Sequence, residues 1–326
     1  MRSSRLVAVC NQVDDDYVKI NTEVLGADAK VEFVQRLPEA ARPGLIASAE
    51  VLIGWNPLRE AGPLSGAPAL RFIQLLSAGA DAIDFSAIPD QVTLAGNLGA
   101  FAAPIAEHVL AMTLALARRL PQRHASLAEG QWNQRERLIT LDGAVCAILG
   151  YGGIGAATAR LMRAFGARIY AVNTSGRTDD DVEFAGTLAD LDQVLAAADV
   201  LVISLPMTKA TRGLIGAREL ALMKPQAIIV NVARGAIIDE HALYEHLARN
   251  RCFGAGIDAW WHEPRPDAGF STSYPFFSLP NFIGSPHNSG IAPGTLARAS
   301  RKAAENALRY LRGEPVTGVM RREDYL

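Results

Sequence analysis

The stretch Val145-Cys146-Ala147-Ile148-Leu149-Gly150-Tyr151-Gly152-Gly153-Ile154-Gly155 decides the fold. Five apolar residues closed by glycine read as a strand buried on both faces, as in a parallel sheet. The glycines form a G-x-G-x-x-G. The residues beyond them have helical spacing, with Ile154, Leu161, Met162 and Phe165 expected on one buried face and Gly166 as the stop. Ile169–Val172 is the next expected strand. Alone, such a glycine triplet marks a tight bend. In a strand–turn–helix–strand setting it lets main-chain N–H groups approach a pyrophosphate at a helix N-terminus. Gly150, Tyr151, Gly152, Gly153, Ile154 and Gly155 are therefore candidate cofactor contacts.

Working downstream, strands are expected at Val200–Ser204, Ala227–Val232, Gly254–Asp258 and Phe282–Ser285. The last three each lead into one reactive side chain: Arg234, Glu263 and His287. Ligands of an open parallel sheet bind beyond the carboxyl ends of its strands. A guanidinium, a carboxylate and an imidazole delivered there can move a proton on and off a substrate that carries a carboxylate. Upstream, strands are expected at Leu6–Cys10, Val31–Val34, Val51–Trp55, Phe72–Leu76 and Val92–Ala95, with a helix over Tyr17–Leu25. A long apolar helix over about Pro104–Leu120 and a polar excursion over Pro121–Thr140 precede the glycine loop. A last helix, Pro293–Leu311, is expected to return to the first domain. The predicted fold is α/β, with two Rossmann-like doubly wound parallel-sheet domains. The cofactor domain, 100–289, is inserted into a discontinuous, flavodoxin-like substrate domain, 1–99 and 290–326.

Composition narrows the classes. A length of 326 residues suits two domains, and a net charge of −2 without a basic run argues against nucleic acid. Cys10, Cys146 and Cys252 lack metal-ligand spacing, so no metal is expected. Cys10 and Cys146 read as buried thiols. The N-terminus has no signal-peptide core and the helix at 104–120 is too short and polar for a bilayer, so a cytoplasmic protein is expected. Asp199 and Asp239 read as strand-edge or capping residues, and His241 and His246 as solvated helix residues. Trp260 and Trp261 are open between walling the active site and packing the domain interface.

Five motifs in one order resemble the D-isomer-specific 2-hydroxyacid dehydrogenases, in particular glyoxylate and hydroxypyruvate reductases: Ser77-Ala78-Gly79-Ala80-Asp81, Ile105-Ala106-Glu107-His108-Val109, Gly150–Gly155, Asn231-Val232-Ala233-Arg234-Gly235, and Asp258…Glu263-Pro264 with Ser285-Pro286-His287. The resemblance implies hydride transfer between a nicotinamide cofactor and a small 2-oxo or 2-hydroxy acid. By it, His287 would be the general acid or base, Glu263 would pair with it, and Arg234 would bind substrate. Ala78 and Gly79 would hold the substrate carboxylate through their N–H groups. Asp258 would lie near the nicotinamide carboxamide. Leu205, Pro206, Thr211, Val232, Ala233, Ser289 and Gly290 would complete the cofactor contacts. The resemblance also implies a two-fold dimer through the helix and arm at about 104–140.

The sequence departs from this family at two places. Where an acid usually hydrogen-bonds the adenosine ribose stands Asn173, followed by Thr174, Ser175, Gly176 and Arg177. No carboxylate there repels a 2′-phosphate, so NADP(H) is expected to be accepted and preferred over NAD(H). One of Asp179, Asp180 and Asp181 turning back would weaken that expectation. Ala102-Ala103-Pro104 replaces a small hydroxyl residue near the helix start. Trp55 is expected to face substrate, and Leu75 and Leu76 to form an apolar wall, which suits a short 2-oxo acid. Competing readings are a phosphite dehydrogenase and a cofactor-sensing binding protein. The formate enzymes of this fold pair the histidine with Gln, against Glu263 here.

Overall fold

The computed structural model describes residues 5–10, 14–61, 64–81, 83–136, 138–264 and 268–326. The chain divides into two compact units, Met1–Phe101 with Ala292–Leu326, and Ala102–Ile291. In chain order the first unit holds β1 (Leu6–Val9), α1 (Asp15–Leu25), β2 (Lys30–Phe33), α2 (Arg42–Ser48), β3 (Val51–Gly54), α3 (Pro57–Ala61), β4 (Phe72–Leu75) and β5 (Thr93–Ala95). The second unit runs α4 (Ala102–Ala117), α5 (Leu120–Ala128), β6 (Val145–Leu149), α6 (Gly153–Ala164), β7 (Arg168–Val172), β8 (Phe184–Gly186) and α7 (Leu191–Ala197). It continues with β9 (Val200–Ile203), α8 (Ala217–Leu222), β10 (Ile228–Asn231), α9 (Glu240–Arg249), β11 (Gly254–Ile257) and β12 (Phe282–Gly284). Helix α10 (Thr295–Arg312) belongs to the first unit.

The first unit's sheet has the order β2-β1-β3-β4-β5, all parallel, which is the flavodoxin-like arrangement. Side chains alternate between its faces. Ala8 and Cys10 join one core cluster, while Val7 and Val9 join the other with Ala303, Ala304 and Ala307 of α10. Covering both faces buries Leu75 and Leu76 completely or nearly so. They are core residues, and the expected apolar substrate wall is not formed by them.

The second sheet has the order β12-β11-β10-β9-β6-β7-β8, again all parallel. The chain enters at β6, moves outward to β7 and β8, then resumes on the other side at β9. The order therefore reverses between β6 and β9, where the diverging loops leave a crevice at the carboxyl ends. Ala147 and Leu149 face one core, Cys146 and Ile148 the other. Burial of Cys146 pushes its thiol up to about 12, so this thiol is inert packing. Strand β8 was too short to show a pattern in the sequence.

Four expectations need correction. The apolar helix begins at Ala102 and ends at Ala117, because Arg119 takes a left-handed conformation (φ 49°) and Pro121 opens a new helix, α5. The polar excursion thus begins as helix. On α6, Phe165 lies outside the buried face and is 46% exposed. The small residues Gly155, Thr158 and Ala159 are buried with Met162 instead, which lets the helix approach the sheet closely. His246 is half-buried with its ring edge-on to Phe253 (4.6 Å), and burial lowers its pKa. It is a packing residue, whereas His241 is exposed. Asp239 caps α9 by accepting from the Ala242 N–H (2.7 Å), and Asp199 accepts from the Val145 N–H and Lys224 Nζ. Among the described residues no helix is long and apolar enough to cross a membrane.

Helix α4 lies over β11 in step with it. A Cβ at Gly254 would lie in ordinary contact with Leu116 (3.5 Å), and one at Gly256 would press on Met112 (3.1 Å). Four residues of helix advance about 6 Å and two of strand about 6.6 Å. One step further along both elements sets His108 against Asp258.

Candidate active site

The cofactor candidates line the carboxyl edge of the second unit's sheet. Gly150 ends β6 at φ 97°, and a Cβ there would meet the main chain of Ser204 and Leu205 at 2.6 Å. Only glycine fits. On the outer side, a Cβ on Gly152 would meet nothing within 4 Å. The loop is thus closed against the sheet and open above. The first-turn N–H groups of α6 have no carbonyl partner within the helix, and a pyrophosphate matches that donor set. Across the crevice the Ser204 hydroxyl donates to Gly150 O (2.9 Å). Thr211, buried, donates to Pro206 O and accepts from the Thr208 N–H, both at 2.8 Å. These bonds shape the loop that carries Leu205 and Pro206. Val232 and Ala233 are buried just beyond β10.

Beyond β7, the Asn173 amide builds a turn. Its Oδ1 accepts from the Ser175 and Gly176 N–H groups (3.0 and 2.8 Å), and its Nδ2 donates to Arg177 O (2.8 Å). Thr174, Ser175 and Arg177 are left exposed. Asp180 turns back and accepts from the Tyr151 hydroxyl at 2.8 Å. Burial, with Asp180 second, raises the Tyr151 pKa.

Asn231, Ile257 and Gly284, from β10, β11 and β12, stand abreast in the sheet. Arg234 and His287 each follow their strand end by three residues (234 − 231; 287 − 284). Buried Asn231 fixes the first turn, accepting from the Ala233 N–H (3.0 Å) and donating to Arg234 O (2.9 Å). Gly235 then passes so close to the main chain of Trp260 and Trp261 that a Cβ would collide with it. This contact draws the Arg234 segment against the loop carrying Glu263.

His287 Nδ1 and Glu263 Oε1 are 2.7 Å apart. Burial works to raise the Glu263 carboxyl, but the bond to His287, the Trp260 N–H and the charges of His287 and Arg234 outweigh it and hold it below its ordinary value. An ionised carboxylate only accepts, so Nδ1 carries the proton and Nε2 is the nitrogen turned to other partners. His287 itself has left-handed backbone (φ 50°), a conformation that costs energy for a residue with a Cβ and persists when its surroundings impose it. Both side chains keep substantial exposure, 36% for His287 and 41% for Glu263.

Asp258 is completely buried. It accepts from the Ser285 hydroxyl and from the Asn288 and Ser289 N–H groups (3.2 and 3.3 Å). Ser285 Oγ also meets His108 Nε2 at 2.8 Å. Burial favours the neutral acid, yet the bonds from Ser285 and Ser289 and the nearby His108 hold the carboxyl below its ordinary value. Its oxygens therefore organise the segment 285–289. Sequence reasoning quoted His108, Ser285 and Asn231 within motifs but gave them no part in this arrangement; the match of H-x3-M-x3-L on α4 to G-x-G-x-D on β11 is a signal that could have placed the first. Trp55, Ala78 and Gly79 fall in the first unit, at the carboxyl ends of β3 and β4. Trp55 is 44% exposed, and Ser77 donates to Gly79 O (2.8 Å). Among the described residues no group of three or more His, Cys, Asp or Glu could hold a metal ion.

The fold and the residues at its strand ends define a nucleotide-binding α/β oxidoreductase. The family model for the D-isomer specific 2-hydroxyacid dehydrogenase, NAD binding domain, matches residues 110–289. A glyoxylate/hydroxypyruvate reductase B of Pectobacterium carotovorum subsp. carotovorum is 34% identical over 85% of this chain and 87% of its own. A D-3-phosphoglycerate dehydrogenase of Methanocaldococcus jannaschii is 31% identical over 96% of this chain, which spans only 59% of that relative's length. Among solved structures, the D-isomer specific 2-hydroxyacid dehydrogenase of Xanthobacter autotrophicus Py2, in complex with NADPH and MES, superposes with a TM-score of 0.79. It is 26% identical, covering 99% of this chain and all of that one. The chain belongs to the D-isomer specific 2-hydroxyacid dehydrogenases, a family of oxidoreductases with an NAD-binding domain.

Proposed function

We propose that this protein reduces a small 2-oxo acid, of the glyoxylate or hydroxypyruvate type, to the D-2-hydroxy acid, with NADPH as preferred reductant. The observation that carries the reading is the 2.7 Å Glu263–His287 pair, with the Arg234 charge acting on the same carboxylate. The bound nicotinamide supplies the hydride. Gly150–Gly155 and the start of α6 would hold the pyrophosphate, with Leu205, Pro206 and Thr211 as further cofactor contacts, and Val232, Ala233, Asp258, Ser289 and Gly290 would receive the nicotinamide end. Arg234 grips the anionic substrate with its planar fork. His287, charged, gives its Nε2 proton to the substrate oxygen as negative charge develops there. Glu263 keeps the remaining proton on Nδ1 and stabilises the imidazolium before transfer. In the oxidative direction the same nitrogen accepts the proton.

The NADPH preference rests on the β7 turn. Asn173 and Ser175 are bonded to each other within the turn, which leaves exposed Thr174 and Arg177 as hydroxyl donor and positive charge for a 2′-phosphate. Asp180 turns back to the Tyr151 hydroxyl, and its charge opposes that preference. A panel of 2-oxo acids run with both reduced cofactors tests function and preference together. The expected result is turnover with at least about tenfold higher kcat/KM for NADPH, and a shift toward NADH in Asn173→Asp, whose carboxylate repels the phosphate. No turnover across the panel would refute the reading, and a strong NADH preference would refute the cofactor assignment.

The protein is also expected to be a homodimer. Leu120, Leu127 and Trp132 are 56, 54 and 74% exposed on one segment of the second unit, apolar side chains that a partner subunit would cover. Light scattering should give twice the 34.9 kDa chain mass; a monomer would contradict this.

A further inference from the structure

Trp260 touches both halves of the Glu263–His287 pair through different atoms. Its main-chain N–H donates to Glu263 Oε1 (3.1 Å), the same oxygen that meets His287 Nδ1. Its indole N–H donates to Ser285 O (2.8 Å), the carbonyl that also accepts from the His287 N–H (3.0 Å). The ring itself is immobilised. It is 8% exposed, packs with Phe270, Phe277 and Phe282, and lies over Gly284, where a Cβ would come within 2.6 Å of it. A phenylalanine would fill most of this volume but could not reach the carbonyl with a donor.

We propose that Trp260 is a positioning residue whose indole N–H and main-chain N–H together hold the imidazole of His287 and the carboxylate of Glu263 in register. The bond to Ser285 fixes the chain two residues before His287 and helps impose its left-handed backbone. The bond to Glu263 fixes the acceptor. One residue, through its main chain on one side and its rigid ring on the other, thus sets the distance between two groups that lie on separate loops and are 24 residues apart. The inference rests on the proposed role of that pair, and its test is chosen to separate the two.

The variant is Trp260→Phe, which keeps the main-chain N–H and most of the ring. The tautomer of the neutral His287 ring is read from ¹⁵N shifts by long-range ¹H–¹⁵N correlation, the signals being assigned by their absence in His287→Ala. Turnover is measured with NADPH and glyoxylate. In the wild type Nδ1 should carry the proton; in Trp260→Phe the ring should move toward the Nε2–H form. The kcat should fall about tenfold, with KM and the NADPH dissociation constant within about twofold. A packing role alone would lower the melting temperature and leave tautomer and kcat unchanged, and that result overturns the proposal. If Trp260→Phe does not fold, benzothienylalanine at this position, with sulfur replacing the N–H, removes the donor in nearly the same volume and is read in the same way. If wild-type enzyme shows no turnover, the proposed reaction fails, while the tautomer measurement still decides the role of Trp260.

Discussion

Replacing His287 by alanine is expected to lower kcat with a 2-oxo acid by about 10²–10⁴-fold, the usual worth of a positioned proton donor. NADPH binding should change by no more than about twofold, because the imidazole lies beyond β12 and the glycine loop beyond β6, with three strands, β11, β10 and β9, between them. The sign follows from the pair itself. Glu263 accepts from Nδ1, so only Nε2 is placed to protonate a substrate oxygen, and no other group of the pair can replace it. Steady-state kinetics and a cofactor fluorescence titration check the two halves of the expectation. Retention of more than about a tenth of wild-type kcat would show that the proton comes from elsewhere. The pH dependence of the pair has a defined direction. The Glu263 carboxyl lies below its ordinary value of 4.5. Its support of the imidazolium is therefore present above that value and is lost as pH falls through the lowered one. An acid-side loss of activity traceable to Glu263 should be absent from the neutral range and should disappear in Glu263→Gln, which is uncharged throughout.

Arg234→Ala is expected to lower kcat/KM by roughly 2–4 kcal/mol, or about 30- to 1000-fold, since it removes charge-assisted bonds to an anionic substrate. The loss should fall on KM and on kcat together, because a substrate bound without the fork also sits less accurately before the imidazole. Arg234→Lys should recover only part of it, as an ammonium supplies charge without the planar pair of donors. There is a second consequence. The Arg234 charge is one of the influences holding Glu263 ionised, so its removal should move the carboxyl back toward its ordinary value. Full activity in Arg234→Ala would place substrate binding on other residues.

Particular residues show where sequence reasoning stopped. Phe165 had the right spacing to be buried, yet it is exposed while Gly155 and Ala159 are covered. Periodicity marks large side chains, whereas close helix–sheet packing selects small ones. The end of α4 was misread because Arg119 adopts a left-handed turn that no helix propensity announces. The short Phe184–Gly186 strand had no room to display alternation. Trp260 was open between walling the site and packing the domain interface; its ring is buried among Phe270, Phe277 and Phe282 and its indole N–H meets Ser285 O, and the letter W reports neither.

What the amino-acid sequence determined unaided was the parallel α/β architecture of the two sheets and which side chains follow their strand ends as candidates for the chemistry. Unbroken apolar runs ending in glycine or in a polar turn specify buried parallel strands, and the chemistry of such a sheet must emerge at their carboxyl ends. The order of the motifs along the chain then specified the family. What the tertiary structure alone decided was how those groups are held: the Trp260 bridge, the alignment of His108 with Asp258 through the stepping of α4 along β11, the turn of Asp180 toward Tyr151, and the left-handed backbone of His287. The Trp260 bridge and the Asp180–Tyr151 bond depend on donors and acceptors on separate segments meeting within about 3 Å, and the other two on the packing of elements far apart in the chain. Periodicity and local propensity act over a few residues, so they carry no information about such meetings until the sheet has assembled.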